Sequence, residues 1–422
     1  MKRPNKPQRH QWFDRWAVAR GQRLQALAYE VRAALDAHER ETVARQRRRK
    51  ESVRANRDTA VEIIVANLAH AVLMPPETGR LAVLTGNNGK RIPRYTSPAT
   101  GKVLRDSLNT MDAIGLTDTK LPQGPGEASS VAPSDDFCRR VRQAGIELSD
   151  FGRHEREEVI VLSRKTAHKG LPGPKEILDY VETAKTTAMR EEVRSFNAFM
   201  ESASITFEDD GGEPVDIHKR TFRRHFVQLD TGDLFDHGGR LYGGFWQNLK
   251  RERRPFVRIE GEQVALLDFS SMFTRLAYAR MGLTPPAGDL YAIPGLEAHR
   301  PAVKVLVNAL LFDGHHRTTW PKDAEEEMPI GWDVPGMKKA ILRHHPHLRR
   351  MFGRRIGHNL MHTESEVMVE TLKELQSRRI VALGLHDGLL IPASRADEAR
   401  DVMEAVALDT TSAHLPVVLK AA

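Results

Sequence analysis

Two short apolar runs constrain this chain more than any other feature: Val264-Ala-Leu-Leu-Asp268-Phe-Ser-Ser and Leu383-Gly-Leu-His386-Asp387-Gly-Leu-Leu-Ile391. Their length and composition predict buried strands, each carrying an aspartate at its end. A buried strand holds a carboxylate rigidly. Two such carboxylates on neighbouring strands can hold a pair of divalent ions about 3.5 to 4 Å apart, the arrangement used for in-line phosphoryl displacement. Between them lies Arg300-Pro-Ala-Val-Lys304-Val-Leu-Val-Asn308-Ala-Leu-Leu-Phe312-Asp-Gly314. Positions four apart share a helix face, so Arg300, Lys304 and Asn308 form a polar stripe. Val303, Leu306, Leu310 and Leu311 form an apolar one that should dock on a core.

Composition narrows the class. With 422 residues the chain can build two or three domains with real cores, and its hydrophobic content of 40% is that of a soluble protein. No run approaches the roughly 18 apolar residues of a membrane span. Met-Lys-Arg-Pro-Asn-Lys-Pro lacks the apolar core of a signal peptide, so the expected location is cytoplasmic. The single Cys138 excludes an intramolecular disulfide and a Cys-based zinc site, and any metal is expected on oxygen ligands. A net charge of +8 suits a polyanionic partner. Basic residues gather at 40–57, 219–224, 250–258 and 343–355, where phosphate contacts would be useful and where solvated helix faces are the alternative. His315-His316 and His344-His345-Pro-His347 lack regular ligand spacing and read as phosphate or solvent contacts rather than zinc ligands.

Along the chain, residues 11–57 read as one or two helices carrying Trp12, Trp16, Leu24, Leu27 and Val31, a basic helical arm. An amphipathic helix is predicted over 58–74, with Asp58 in cap position. Asn88-Gly89 reads as the turn of a hairpin starting at Leu81; Gly89-Lys90 fails as a phosphate loop because Arg91 and Pro93 follow. A helix to about Ile114, a Gly/Pro/Ser-rich loop over 122–134, a short helix over 135–144 and a strand over 158–162 follow. That pattern fits a winged-helix-like DNA-binding domain or a helical spacer over 58–168. Lys169-Gly-Leu-Pro-Gly-Pro174 reads as a linker and 175–200 as helix, with an acidic loop at 208–213.

Taken in order, the strand aspartate Asp268, the Arg300-x3-Lys304 helix and the His386-Asp387 strand resemble motifs A, B and C of family A DNA polymerases and the related single-subunit RNA polymerases. Asp268-Phe-Ser-Ser-Met-Phe273-Thr-Arg275-Leu is similar to the family's Asp-Tyr-Ser-Gln-Ile-Glu-Leu-Arg, with Phe273 where DNA polymerases usually carry a glutamate that excludes ribonucleotides. Gly239-Arg240-Leu241-Tyr-Gly-Gly-Phe245-Trp246-Gln247-Asn248 looks like the element preceding motif A, although Phe245 and Trp246 also suit a core. Phe312 replaces the family's tyrosine, Asn308 stands where many members have an aromatic, Asp313 displaces the usual glycine, and the Gly388 of His-Asp-Gly matches neither branch.

The resemblance implies an α+β right-hand fold: an antiparallel palm and helical fingers over 219–422, thumb-like helices over 169–218, and a mainly helical basic region before them. It implies a template-directed nucleotidyltransferase extending a primer 3′-hydroxyl, with DNA primer-template and nucleoside triphosphates as partners. Asp268, Asp387 and the main chain of Phe269 would hold two Mg2+ ions, with Mn2+ as a substitute. Arg300 and Lys304 would hold the triphosphate. Phe273, Asn308, Phe312 and His386 would line the nucleotide site, and Arg240, Gln247, Asn248 and Arg254 would contact nucleic acid. No acidic cluster of a proofreading exonuclease is apparent, and the short spacing of the motifs predicts trimmed fingers. Replication of a mobile element, or repair, is the expected setting. The alternatives are a single-subunit-type RNA polymerase or primase, and a non-catalytic replication initiator with a degenerate palm.

Overall fold

The computed structural model describes residues 11–42, 50–86, 92–122, 127–168, 171–229, 234–321 and 330–420, with the backbone alone over 165–168 and 171–174. The chain divides into two compact units, Met1–Glu158 and Val159–Ala422. Both mix helices with strands, as the α+β expectation requires.

The first unit contains β1 (Gln11–Trp12), β2 (Ala17–Ala19), α1 (Gln22–Thr42), α2 (Glu51–Leu73), β3 (Leu81–Val83), α3 (Gly101–Ala113), β4 (Thr117–Lys120), β5 (Ser129–Pro133), α4 (Asp135–Gln143) and β6 (Phe151–Arg153). The segment expected to be an arm is part of this unit's core: Leu24, Leu27, Val31 and Leu35 of α1 are buried with Val61, Ile64, Val65 and Leu68 of α2. Arg57, almost fully buried, is neutralised by Asp36 at 2.7 Å and Glu39 at 3.2 Å, which ties α2 to α1. A buried charge without such partners would be strongly destabilising. Helix α2 starts at Glu51, so Asp58 lies inside the helix and caps nothing. Residues 11–19 hold two short strands joined by a turn rather than a helix, because β2 pairs with β6 and β1 with β3.

The expected hairpin after Leu81 is also corrected. Its turn at Asn88-Gly89, with Lys90, lies outside the described residues, but β3 pairs with β5 and β1, and Pro93–Tyr95 forms a 3-10 turn instead of a returning strand. Strand β5 falls inside the segment read as loop. The expected helices ending near Ile114 and over 135–144 are present as α3 and α4, the latter capped by Ser134, whose side chain accepts from the Phe137 N–H.

The second unit opens with β7 (Ile160–His168) and β8 (Leu171–Leu178), an antiparallel hairpin. The stretch read as a linker therefore lies at a hairpin end, and 175–178 is strand rather than helix; Lys169 and Gly170 themselves lie outside the described residues. Next come α5 (Ala184–Ser202), β9 (Ile205–Phe207), β10 (Arg223–Val227), β11 (Gly238–Tyr242), α6 (Phe245–Asn248), β12 (Val257–Ile259), β13 (Glu262–Phe269), α7 (Met272–Arg280), α8 (Arg300–Phe312), α9 (Val334–His344), α10 (Gly357–Ser377), β14 (Leu383–Gly384), β15 (Gly388–Pro392), α11 (Ala396–Thr411) and β16 (Val417–Lys420).

Two sheets organise this unit. One runs β11-β10-β7-β8; the other, antiparallel throughout, runs β14-β15-β13-β12-β9 with β16 on the second edge of β13. Strand β13 is thus hydrogen-bonded on both sides along its C-terminal half, and Leu266, Leu267 and Phe269 are buried. Helix α8 buries Val303, Leu306, Leu310 and Leu311, the face the sequence marked as apolar.

His345 is fully buried between Tyr278 and the Leu290 carbonyl, with Nε2 to that oxygen at 2.9 Å and Nδ1 to the Tyr278 hydroxyl at 3.0 Å. The Nε2 proton must point at the carbonyl, so Nδ1 accepts from the tyrosine. Burial lowers the imidazole pKa. This histidine is an internal strut, not the phosphate or solvent contact expected from its His-rich surroundings.

Candidate active site

The site forms where β13 ends. Asp268 pairs across the sheet with Gly388 on β15 and with Val418 on β16. The next residue, Phe269, donates its N–H to the Asp387 carbonyl at 3.0 Å. Asp268 thus ends a buried strand, as its apolar run predicted, whereas Asp387 lies in the turn between β14 and β15 rather than on a strand. The Phe269 ring is buried, and its N–H serves to lock the two acidic segments together.

Gly388 makes this approach feasible. A Cβ there would lie 2.4 Å from the Leu267 carbonyl oxygen and 3.1 Å from Asp268 Oδ1. No side chain fits at Gly388, where β15 meets β13.

Asp268 is mostly shielded, and its Oδ2 accepts from the Lys420 ammonium on β16. The Asp387 carboxylate makes no hydrogen bond or ion pair among the described residues, although its charge is felt by Arg240, Tyr291, Glu364 and His386. No group of three or more His, Cys, Asp or Glu is placed to hold a metal among the described residues. Two hard carboxylates nevertheless suit Mg2+, which commonly takes one or two carboxylates and completes its shell with water and substrate oxygens. That Asp268 already takes a protein cation fits the same donor chemistry.

Helix α7 supplies Phe273, whose ring meets Phe312 of α8 edge-on at 5.5 Å. The Arg240 guanidinium lies 5.6 Å from the Phe273 ring centre. Phe312 in turn packs against His358 at 5.1 Å, and a Cβ on Gly357 would lie 2.4 Å from the Phe312 ring, so α10 needs a glycine there. His386 contacts Tyr242 at 5.1 Å. Burial lowers the pKa of His386, reinforced by Arg240 and Arg254 and opposed by Asp387; its buried Nδ1 has no partner among the described residues.

Sequence reasoning missed Glu364. It is fully buried on α10 and holds Arg240 in a two-pronged pair, at 2.6 Å from Nε and 3.0 Å from Nη2. Burial raises its pKa to about 7, Arg240 opposes the rise and Asp387 adds to it. The pairing of Glu364 with Arg240 across 124 residues leaves no local signal.

Arg300 pairs with Asp289 and lies 5.7 Å from the centre of the Tyr291 ring. Burial raises the Tyr291 pKa, and Asp387 and Asp289 add to the rise. Lys304, one turn on, is exposed and makes no hydrogen bond or ion pair among the described residues; no described contact ties it to Asp268 or Asp387. Asn308 is half-buried, with an Oδ1 that has no partner among the described residues.

The segment 239–248 divides in two. Trp246 is fully buried and donates to the Gly384 carbonyl at 2.9 Å, and Phe245 is also core. Gln247 was expected to contact nucleic acid, but its amide donates to the Leu241 and Gly384 carbonyls and accepts from the Gly243 N–H. It braces β11 against the strand leading to Asp387. Asn248 is exposed. Arg254, in the 3-10 turn Arg251–Phe256, has a buried Nε without a partner among the described residues.

No family model matches this chain, and no curated protein does. Among solved structures, the chain is similar, at a TM-score of 0.29 and 11% identity, to the POL domain of Pol1 from M. smegmatis in complex with DNA primer-template and dNTP; the match covers 96% of this chain and 66% of that one.

Proposed function

We propose that the second unit is a template-directed nucleotidyltransferase that extends a primer 3′-hydroxyl, with DNA as the preferred product. The observation that carries this reading is the pair Asp268, at the end of β13, and Asp387, in the turn before β15, joined by the Phe269 N–H to Asp387 carbonyl bond, with Arg240 and His386 beside Asp387 and Phe273 against Arg240. A divalent ion bound there supplies Lewis-acid chemistry, lowering the pKa of the attacking hydroxyl and neutralising phosphoryl charge. Asp268 and Asp387 hold that charge in place. Arg300 and Lys304 receive the triphosphate, for which Arg300 must leave Asp289. Arg240, steadied by Glu364, positions the primer terminus, and Phe273 crowds the sugar. Arg254 and Asn248 extend the nucleic-acid contact along the surface.

The order of the three motifs supports membership of the family A polymerase class, with a palm over 219–422 and trimmed fingers. The N-terminal unit, with its basic residues, is read as a DNA-binding region, and the setting as replication or repair of a mobile element. The test is extension of a labelled primer on a DNA template with Mg2+, using deoxynucleotides and ribonucleotides separately, beside Asp387→Ala. Extension by the native chain and none by the variant is the expected result. Tight DNA binding without extension by either sugar would replace this reading with a non-catalytic initiator.

A further inference from the structure

Strand β16 does more than close one edge of the palm sheet. Its register sets Lys420 opposite Leu266 and Val418 opposite Asp268. Side chains two apart share a face of a strand, and a long side chain reaches the diagonal neighbour across an antiparallel pair. The Lys420 ammonium accordingly donates to Asp268 Oδ2, one of the two oxygens through which that aspartate could bind a metal. Nothing comparable touches Asp387 among the described residues. The two carboxylates are therefore unequal: one carries a protein cation and the other does not.

Resting on the nucleotidyltransferase reading, we propose that Lys420 is a built-in competitor for the divalent ion at Asp268, displaced when the metal binds. An ammonium and a divalent cation on one carboxylate repel each other, so both cannot hold it at full strength. Lys420 is 40% exposed and Asp268 16%, which leaves the lysine a route into water on its flexible stem. Between metal-bound states the lysine keeps Asp268 neutralised and in register, so the site is not left with two uncompensated carboxylates. The consequence is a raised metal requirement that is set by β16.

The experiment is direct Mn2+ binding to the full chain, followed by electron paramagnetic resonance of free Mn2+ at fixed ionic strength and pH, for the native protein, Lys420→Met, Lys420→Arg and Asp268→Asn. Circular dichroism reports whether each variant is folded. Lys420→Met is expected to bind Mn2+ a few-fold to about tenfold more tightly, the scale of one partly exposed ion pair. Lys420→Arg should bind like the native chain, and Asp268→Asn much more weakly. Equal affinity in native, Met and Arg forms, or weaker binding by Lys420→Met, would overturn the competition while leaving the polymerase reading standing. Should the Met form fail to fold, Lys420→Gln carries the same expectation. Absence of Mn2+ binding by both the native chain and the neutral variant would remove the metal site itself, and with it both proposals.

Discussion

Replacing Gly388 by alanine tests the geometry of the site with one methyl group. Gly388 is not among the glycines at positive φ, so alanine meets no backbone penalty there and only the space matters. The new Cβ would stand 2.4 Å from the Leu267 carbonyl oxygen and 3.3 Å from the Asp268 Cα. Both are backbone atoms of the central strand, so relief requires β15 to move away from β13. Overpacking of this kind costs about 1–3 kcal/mol. For a unit of this size that lowers Tm by about 2–4 °C per kcal/mol. The same displacement separates the aspartates, and a misplacement of about 1 Å at a reacting centre costs about 100-fold in rate.

Gly384 in the same hairpin is the control. A Cβ there meets only the ends of side chains, Leu372 Cδ1 at 3.3 Å and the Phe222 ring at 3.8 Å. Thermal unfolding and primer extension on both variants should show Gly388→Ala impaired in each assay and Gly384→Ala close to native. If Gly388→Ala melts and extends like the native chain, β15 does not abut β13 as described, and the steric account of His-Asp-Gly is wrong.

Two further outcomes follow from the same structure. Phe273 lies between the Phe312 ring and the Arg240 guanidinium, so Phe273→Ala should open room beside the sugar and raise ribonucleotide use relative to deoxynucleotide use by about tenfold or more; an unchanged ratio in paired extension assays would remove Phe273 from sugar selection. Burial, aided by Lys175 and Arg223, lowers the His225 pKa to about 4, against about 6.5 in the unfolded chain. Between those values the unfolded state binds the extra proton, so the contribution to stability is present above about pH 6.5 and is lost as pH falls toward 4. Discounted for partial exposure, it amounts to about 1–2 kcal/mol, and His225→Gln should flatten the pH dependence of urea unfolding between pH 7 and 5; an unaltered slope would refute it.

The sequence alone determined the elements whose cause is local. Length and composition marked the two apolar runs and placed Asp268 at the end of a buried strand, while Asp387 proved to lie in the turn between β14 and β15; helical spacing sorted α8 into a buried Val303, Leu306, Leu310 face and a polar Arg300, Lys304, Asn308 face. The same reasoning misplaced residues 11–19, 171–178 and the start of α2, where apolar spacing suits more than one structure and strand pairing between distant segments decides. Only the tertiary structure assigned Gln247 to bracing, buried His345 as a strut, joined Glu364 to Arg240, excluded a side chain at Gly388 and set Lys420 on Asp268. Each depends on groups brought together from far along the chain, and the free energy of such contacts has no counterpart in any short window of residues.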